Sequence, residues 1–479
     1  MDCSTNRHRA PLDRYSRKPQ MTIDAIEHIA HHVVETGFDD LPQEAIAASQ
    51  KFILDSIGVG LAGSGGPWVT ELINAMGAAP SQDSARVWGQ DKVLDAKAAA
   101  LCNAYQIHNA EYDCVHEQAV VHPVTVVLAA SLAEIDRVRS NGGDTISGHQ
   151  LVRAVTLGVD VACHLGVASA SPLKFFRPGT CGAFGATAAV SILRGYEKKQ
   201  LISSFGIAHA QLCGTMQAHT EGSPLLAMQM GFNARNAMTA CDIALQGIPG
   251  TRHILEGPFG FYALFEGQHH LDDVLPQLGT VWRITEVAHK PFPSGRATHG
   301  IVDACLTLRK EHSLAHSDIR NVVARVPSLT HHLVGRPVTR DMDINYARLC
   351  ARFVAARALI TGGVIGDDFT LEVRRDPITL GLAQQIDIQI DENPNPNALS
   401  PIEVQIENHD GTRAHSMIDI VYGHPDKPMS RAAWLDKFRN NWRRSLVPLS
   451  DNACERVIER LDSLPAVTNT ADIIDDLVP

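Results

Sequence analysis

His289-Lys290-Pro291-Phe292-Pro293-Ser294-Gly295-Arg296-Ala297-Thr298-His299 marks the point where the texture of this 479-residue chain changes. Before it, from Ile23 to about Val287, apolar residues recur every three and four positions, the spacing of helices that bury one face. After it, Asn321–Pro327, Gln385–Ile390, Ile402–Glu407 and Ser416–Tyr422 read as strands, with one helix, Arg348–Ile360, among them. The turn signals Asn393-Pro394-Asn395-Pro396-Asn397 and His409-Asp410-Gly411 separate the last three strands. Beyond Pro425 the helical period returns in Ser430–Arg444 and Asp451–Ser463.

Upstream, Pro42–Ala62 opens after Asp39-Asp40 and stops at Gly-Ser-Gly-Gly-Pro. Ala96–Ala110, His122–Arg137, Gly148–Leu165, Ala183–Leu193 and Met228–Gln246 repeat the pattern, and their Ala and Gly content suits closely packed helices. The reading predicts a mainly α protein. Its large all-helical domain is discontinuous in sequence, residues 21–287 plus 427–479, and a smaller α+β lid domain is inserted at 288–426. A cleft between two such bodies is a common ligand site.

Composition narrows the function. The chain is 44% hydrophobic and 20% charged, as expected of a globular protein. A formal net charge of −11 argues against a nucleic-acid or anionic-membrane partner. Leu151–Leu165 and Ala183–Leu193 are apolar but shorter than a membrane span. The ten cysteines include no C-x-x-C, which predicts reduced, mostly buried thiols and a cytoplasmic location. The first residues carry Arg7, Arg9, Arg14, Arg17 and Lys18 without a hydrophobic stretch, so 1–20 read as a disordered extension rather than a secretory signal.

Three runs are dense enough to do chemistry. His108-Asn109-Ala110-Glu111-Tyr112-Asp113-Cys114-Val115-His116-Glu117, followed by His122-Pro123, gathers histidines and acids at a helix-to-loop junction. Such a set supplies acid and base groups of different pKa. A polar surface loop with capping acids is the competing reading. A zinc site fails because His116-Glu117 is followed at position 120 by Val where H-E-x-x-H needs histidine, so no metal is expected. The quoted 289–299 run presents Lys290 and Arg296 on a proline-stiffened segment, suited to paired carboxylates or to plain solvation. Lys174-Phe175-Phe176-Arg177-Pro178-Gly179-Thr180-Cys181-Gly182 leads into an Ala-rich helix but lacks the G-K-[ST] ending of a phosphate loop.

These runs, in this order, resemble the MmgE/PrpD family, which includes 2-methylcitrate dehydratases, cis-aconitate decarboxylases and iminodisuccinate epimerases. Leu54-Asp55-Ser56-Ile57-Gly58-Val59-Gly60 is similar to its early helix signature, and the 108–122 run to its acidic stretch ending in His-Pro. Leu255-Glu256-Gly257-Pro258-Phe259-Gly260-Phe261 and Lys290-Pro291-Phe292-Pro293 with Arg296 and His299 resemble two more. The resemblance implies a helical domain with an inserted α+β lid, a homodimer, and no metal or organic cofactor. Three positions depart from it. Arg177 stands where the dehydratase and decarboxylase branches carry histidine, no lysine occurs in Thr220–Leu226, and Phe353 replaces the lid's tyrosine, with Tyr346 nearby.

The implied reaction is at the carbon next to a carboxylate of a small anionic polycarboxylate: a lyase (dehydratase or decarboxylase), with epimerisation as the alternative. A catalytically idle binding protein is a further possibility. Removing such a proton loads charge onto an already anionic group, so cations are needed where charge develops. Lys290, Arg296 and Arg177 are the candidates, with Ser223 and His108 as further substrate contacts. His122 or His116 is the natural base. Asp113 and Glu111 are placed to orient a histidine or to act themselves.

Overall fold

Capping decides where the helices begin. Asp24 accepts from the Ile26 amide at the start of α1 (Ala25–Glu35), and Asp95 accepts from Lys97 at the start of α4 (Ala96–His108), after α2 (Gln43–Gly63) and α3 (Val69–Met76). Proline at the first turn opens α5 (Pro123–Ser140), and a Ser147/Gln150 capping box opens α6 (Gly148–Val167). Then follow α7 (Arg177–Leu193), α8 (Lys198–His209), α9 (Gln217–Glu221) and α10 (Leu225–Leu245). This computed structural model describes residues 24–77 and 82–479, so the expected extension at 1–20 lies outside the described residues.

Helix α7 is buried along its whole length, packed against α5, α6, α8 and α10. Small residues allow that: a Cβ on Gly185 would meet the Gly158 carbonyl oxygen of α6 at 2.4 Å. Helices α2 and α6 are long and apolar enough to cross a membrane, but 78% and 83% of their apolar windows are buried among neighbouring helices. They are core helices.

The region before residue 280 is not purely helical, as the periodicity implied. A short antiparallel hairpin, β1 (Ser84–Arg86) with β2 (Val93–Asp95), precedes α4. Three-residue strands are too short for an alternation to register in the sequence.

Downstream, β3 (Ile319–Val326), β4 (Ile386–Ile390), β5 (Ile402–Asn408) and β6 (Arg413–Ile418) form one sheet in the order β4-β3-β5-β6. β3 runs parallel to β4 and antiparallel to β5, and among the described residues all four strands pair only with one another. The expected strand Ser416–Tyr422 is displaced to 413–418, because the tight turn at Asp410-Gly411 (φ +86° at glycine) sets Arg413 opposite Glu407 at once. Helix content here exceeds expectation: Arg296–Glu311 packs on β5, β6 and the helix Ala351–Thr361, and Ser328–Val334 and Pro377–Gln384 add to it.

Buried apolar side chains form two clusters. One draws on residues 25–287, on Leu349 and on the C-terminal helices, where Phe438 lies against Gly58 of α2; the other draws on 297–421. All described cysteines are free, and all but Cys213 are buried.

Candidate active site

The 108–122 run folds back on itself between α4 and α5. His116 and Val121 exchange backbone hydrogen bonds (2.8 and 3.2 Å), closing a tight loop. Glu111 and Val120 take left-handed backbone angles (φ 52° and 53°), sparsely populated for such residues and, for branched Val120, strained. Three distant segments hold the loop. Val115 and Ala288 exchange amide bonds of 3.0 and 2.8 Å, which sets the 289–299 run beside it. Asp55 of α2 pairs with Lys437 at 2.7 Å, and Lys437 donates to the Tyr112 carbonyl at 3.1 Å.

Asp113 is the hub. Its Oδ2 accepts from His108 Nδ1 at 2.9 Å and from the Thr125 hydroxyl at 2.6 Å, and lies 3.3 Å from His122 Nδ1. His122 Nδ1 also lies 3.0 Å from the Cys114 carbonyl. A carbonyl only accepts, so Nδ1 carries the proton and Nε2 keeps its lone pair. The two imidazole rings meet edge to face, 4.8 Å between centroids.

Their environments drive the two histidines apart. Burial opposes charge on His108, but the carboxylates of Asp113 and Glu111 outweigh it and hold its pKa above the usual histidine value. Burial, reinforced by the Lys290 charge, pushes His122 below it. Burial also works against charge on Asp113 and Glu111, yet their cationic neighbours prevail, leaving Asp113 well below the carboxylate range and Glu111 at about 2. His108 is thus the readier proton donor and His122 the readier acceptor, side by side on one carboxylate.

His108, Glu111 and His122 face a cavity of about 590 Å³, counted with its opening to solvent. Leu173, Phe176, Met216 and Leu226 line it from the helical side; Leu333, Val334, Leu349 and Leu399 line it from the 288–426 segment. Asn397 reaches across to the Ser169 carbonyl at 3.5 Å.

Family models match both parts of the chain. The MmgE/PrpD N-terminal domain matches residues 27–273 and the MmgE/PrpD C-terminal domain residues 292–463. The chain belongs to the MmgE/PrpD family. Similar relatives are named cis-aconitate decarboxylase. That of Mus musculus is 29% identical over 443 residues, 88% of this chain and 87% of the relative. That of Homo sapiens is 27% identical over 460 residues, 91% of each. One from Aspergillus terreus is 27% identical over 437 residues, 86% of this chain and 88% of the relative.

Within this MmgE/PrpD chain the expected cations are occupied by the protein itself. Lys290 is fully buried and donates to Glu111 Oε2 at 3.0 Å and to the Glu111 carbonyl at 3.2 Å, with Asp113 Oδ1 3.8 Å away. It therefore joins the His108–His122 cluster without lining the cavity. Arg296 lines the cavity, but its donors go to Glu117 (2.7 Å) and to the carbonyls of Val421, Tyr422 and His289. Arg177 lies outside the lining, paired with Glu266 at 2.9 Å and donating to the Ala119 and Ser171 carbonyls. His116 is buried against Glu286 at 2.9 Å and lies outside the cavity lining. Ser223 accepts from the Leu225 amide at 3.2 Å and lies outside the lining as well.

His219 was not legible in the sequence. It lines the cavity from short α9 and is held by Arg336 Nη2 at 3.2 Å; burial and that guanidinium push its pKa down to about 3. A lone histidine in a five-residue helix carries no spacing signal. The Leu255–Phe261 signature has a structural place: Glu256 accepts from the Ala25 amide at 3.2 Å and Phe261 is fully buried.

His108, Asp113 and His122 offer ligand atoms within 4.8 Å of one another, a spacing a metal ion can use. Both Nδ1 atoms, however, already lie at hydrogen-bond distance from the one oxygen that Thr125 also donates to. That donor set fits shared protons better than a cation.

Proposed function

We propose that this protein is a lyase acting at the carbon next to a carboxylate of a small unsaturated or hydroxylated polycarboxylate, with decarboxylation as the first reading. The observation that carries it is the juxtaposition of protonated His108 and neutral His122 on Asp113, at the polar end of the cavity. The names of the relatives favour decarboxylation over dehydration.

In decarboxylation the C–CO₂⁻ bond breaks as a C–H bond forms elsewhere in the conjugated acid, so one proton enters and CO₂ leaves. His108 is the donor: its Nδ1–H is held by Asp113, while Nε2 is buried with no hydrogen-bond partner among the described residues. In dehydration His122 Nε2 takes the proton and His108 protonates the departing hydroxyl, so that water leaves. The 288–426 segment acts as a lid in either case, since its leucines cover the apolar side of the cavity and exclude water.

The second reading is epimerisation, in which one of the two histidines removes a proton and a group on the opposite wall of the cavity returns one to the other face of the same carbon. Incubation with cis-aconitate, 2-methylcitrate and iminodisuccinate in deuterium oxide, followed by proton NMR, separates the readings. CO₂ loss, alkene formation, and deuterium exchange without net loss are the three signatures. No turnover and no exchange with any acid would leave a binding protein.

A further inference from the structure

Lys290 and Arg296 have carboxylate partners, but two arginines beside the cavity have none among the described residues. Arg336, from the 288–426 segment, donates through Nη2 to the His219 carbonyl at 3.0 Å, to His219 Nδ1 at 3.2 Å and to the Leu333 carbonyl at 3.3 Å. Its Nη1 is buried with no hydrogen-bond partner among the described residues. The guanidinium lies over the Tyr346 ring, 4.8 Å from its centroid. Gly222, at φ +70°, lets that tyrosine close on α9, since a Cβ there would meet Tyr346 Cβ at 2.8 Å. Arg348 donates to the Asn109 carbonyl at 2.5 Å, and its Nε is likewise buried without a partner. Both arginines feel the charge of Glu111, which lines the cavity.

Arg336 also decides which nitrogen His219 offers. A guanidinium only donates, so His219 Nδ1 accepts and the ring proton sits on Nε2. Burial and the arginine's charge keep the ring neutral. His219 is therefore a fixed N–H donor on the cavity wall, backed by a cation that no carboxylate of the described residues answers. Resting on the lyase reading above, we infer that His219 and Arg336 form a subsite for a substrate carboxylate that the reaction keeps. His219 donates its Nε2–H to a carboxylate oxygen. Arg336 is a positioning residue: behind the ring, it fixes the tautomer and supplies the balancing charge. The group that leaves lies at His108 and His122, so no bond breaks at this subsite.

The test uses tricarballylate, a tricarboxylate with neither alkene nor hydroxyl, which can bind without reacting. Isothermal titration should show binding weakened at least about tenfold in His219→Phe and in Arg336→Ala, the loss of a charge-assisted hydrogen bond. His219→Gln, which keeps an N–H near the Nε2 position, should retain most of the affinity. Guanidinium ion at sub-denaturing concentration should restore it to Arg336→Ala; a part in packing alone would give neither rescue. With whichever of the three acids is turned over, His219→Phe and Arg336→Ala should raise KM by about the same factor and change kcat less, because a kept carboxylate is held alike in ground and transition states. Thermal melting checks folding. Arg336 is half-buried, and its variant with guanidinium rescue decides alone if His219→Phe does not fold. Unchanged affinity in either folded variant, absence of both rescues, or no binding of tricarballylate to the unaltered protein overturns the subsite. Turnover with KM unmoved in these variants overturns the subsite and leaves the lyase reading standing. Binding with the expected losses, but no turnover of any acid, keeps the subsite while the lyase reading falls.

Discussion

His108 and His122 address the same oxygen, Asp113 Oδ2, at 2.9 and 3.3 Å, yet titrate in opposite directions from the usual histidine value. One carboxylate serves both because Glu111 adds a second negative charge beside His108, whereas at His122 burial outweighs Asp113; the Lys290 charge opposes protonation of both.

The pH dependence follows. His122 must be neutral, so activity rises as pH climbs through its lowered pKa; His108 must be protonated, so activity falls as pH climbs through its raised pKa. The profile of kcat/KM should be a bell whose acid limb lies below the ordinary histidine value and whose basic limb lies above it. Asp113→Asn removes the larger of the two upward pulls on His108 and should move the basic limb to lower pH. It should also lower kcat by about 10²–10⁴-fold. A basic limb unmoved in this variant would take His108 out of the acid role.

Lys290 and Glu111 form a buried pair, 0% and 9% of their side chains exposed. Lys290→Met strands the carboxylate and should destabilise the fold by about 3–5 kcal/mol, whereas Lys290→Met with Glu111→Gln should recover most of that loss. Glu111 has its pKa depressed from 4.5 to about 2. Its contribution to stability is therefore present above about 4.5 and disappears as pH falls to about 2, so the double variant should show a flatter loss there. Urea titrations at neutral and acid pH measure both effects. Equal stability of the single and double variants would mean that Glu111 finds another partner.

Gly185 and Gly158 let α6 and α7 cross with backbones touching, since a Cβ on Gly185 would sit 2.4 Å from a carbonyl oxygen. Gly185→Ala should destabilise by about 1–3 kcal/mol or more, seen as a lower Tm. Gly381, with open space around its missing Cβ, should tolerate alanine and serves as the control. Similar Tm values for the two variants would contradict the close crossing.

Because His108, Asp113 and His122 already share protons, activity should survive prolonged dialysis against a chelator. Loss of turnover on chelation, with recovery on adding zinc or iron, would turn the same three residues into a metal site.

The helices and the change of texture at 288 were legible because periodicity is local: whether α6 buries Leu151, Val155 and Leu165 depends on neighbours within a few turns. The 108–122 run was legible because its titratable groups are dense in sequence. What the sequence concealed was the pairing of charges. Lys290 with Glu111 and Arg296 with Glu117 are each 179 residues apart, so no spacing rule shows that these cations are already neutralised. His219 reaches the cavity alone from a five-residue helix, and His116 leaves it through one tight turn to Glu286. The sequence by itself determined the helical class, the strand region and the segment that carries the histidines. Only the tertiary structure decided which histidine is held above the usual value, which is pushed below it, and which cations are already paired. Charge and pKa are set by what lies within a few ångströms, and in this chain those neighbours include residues 179 positions apart.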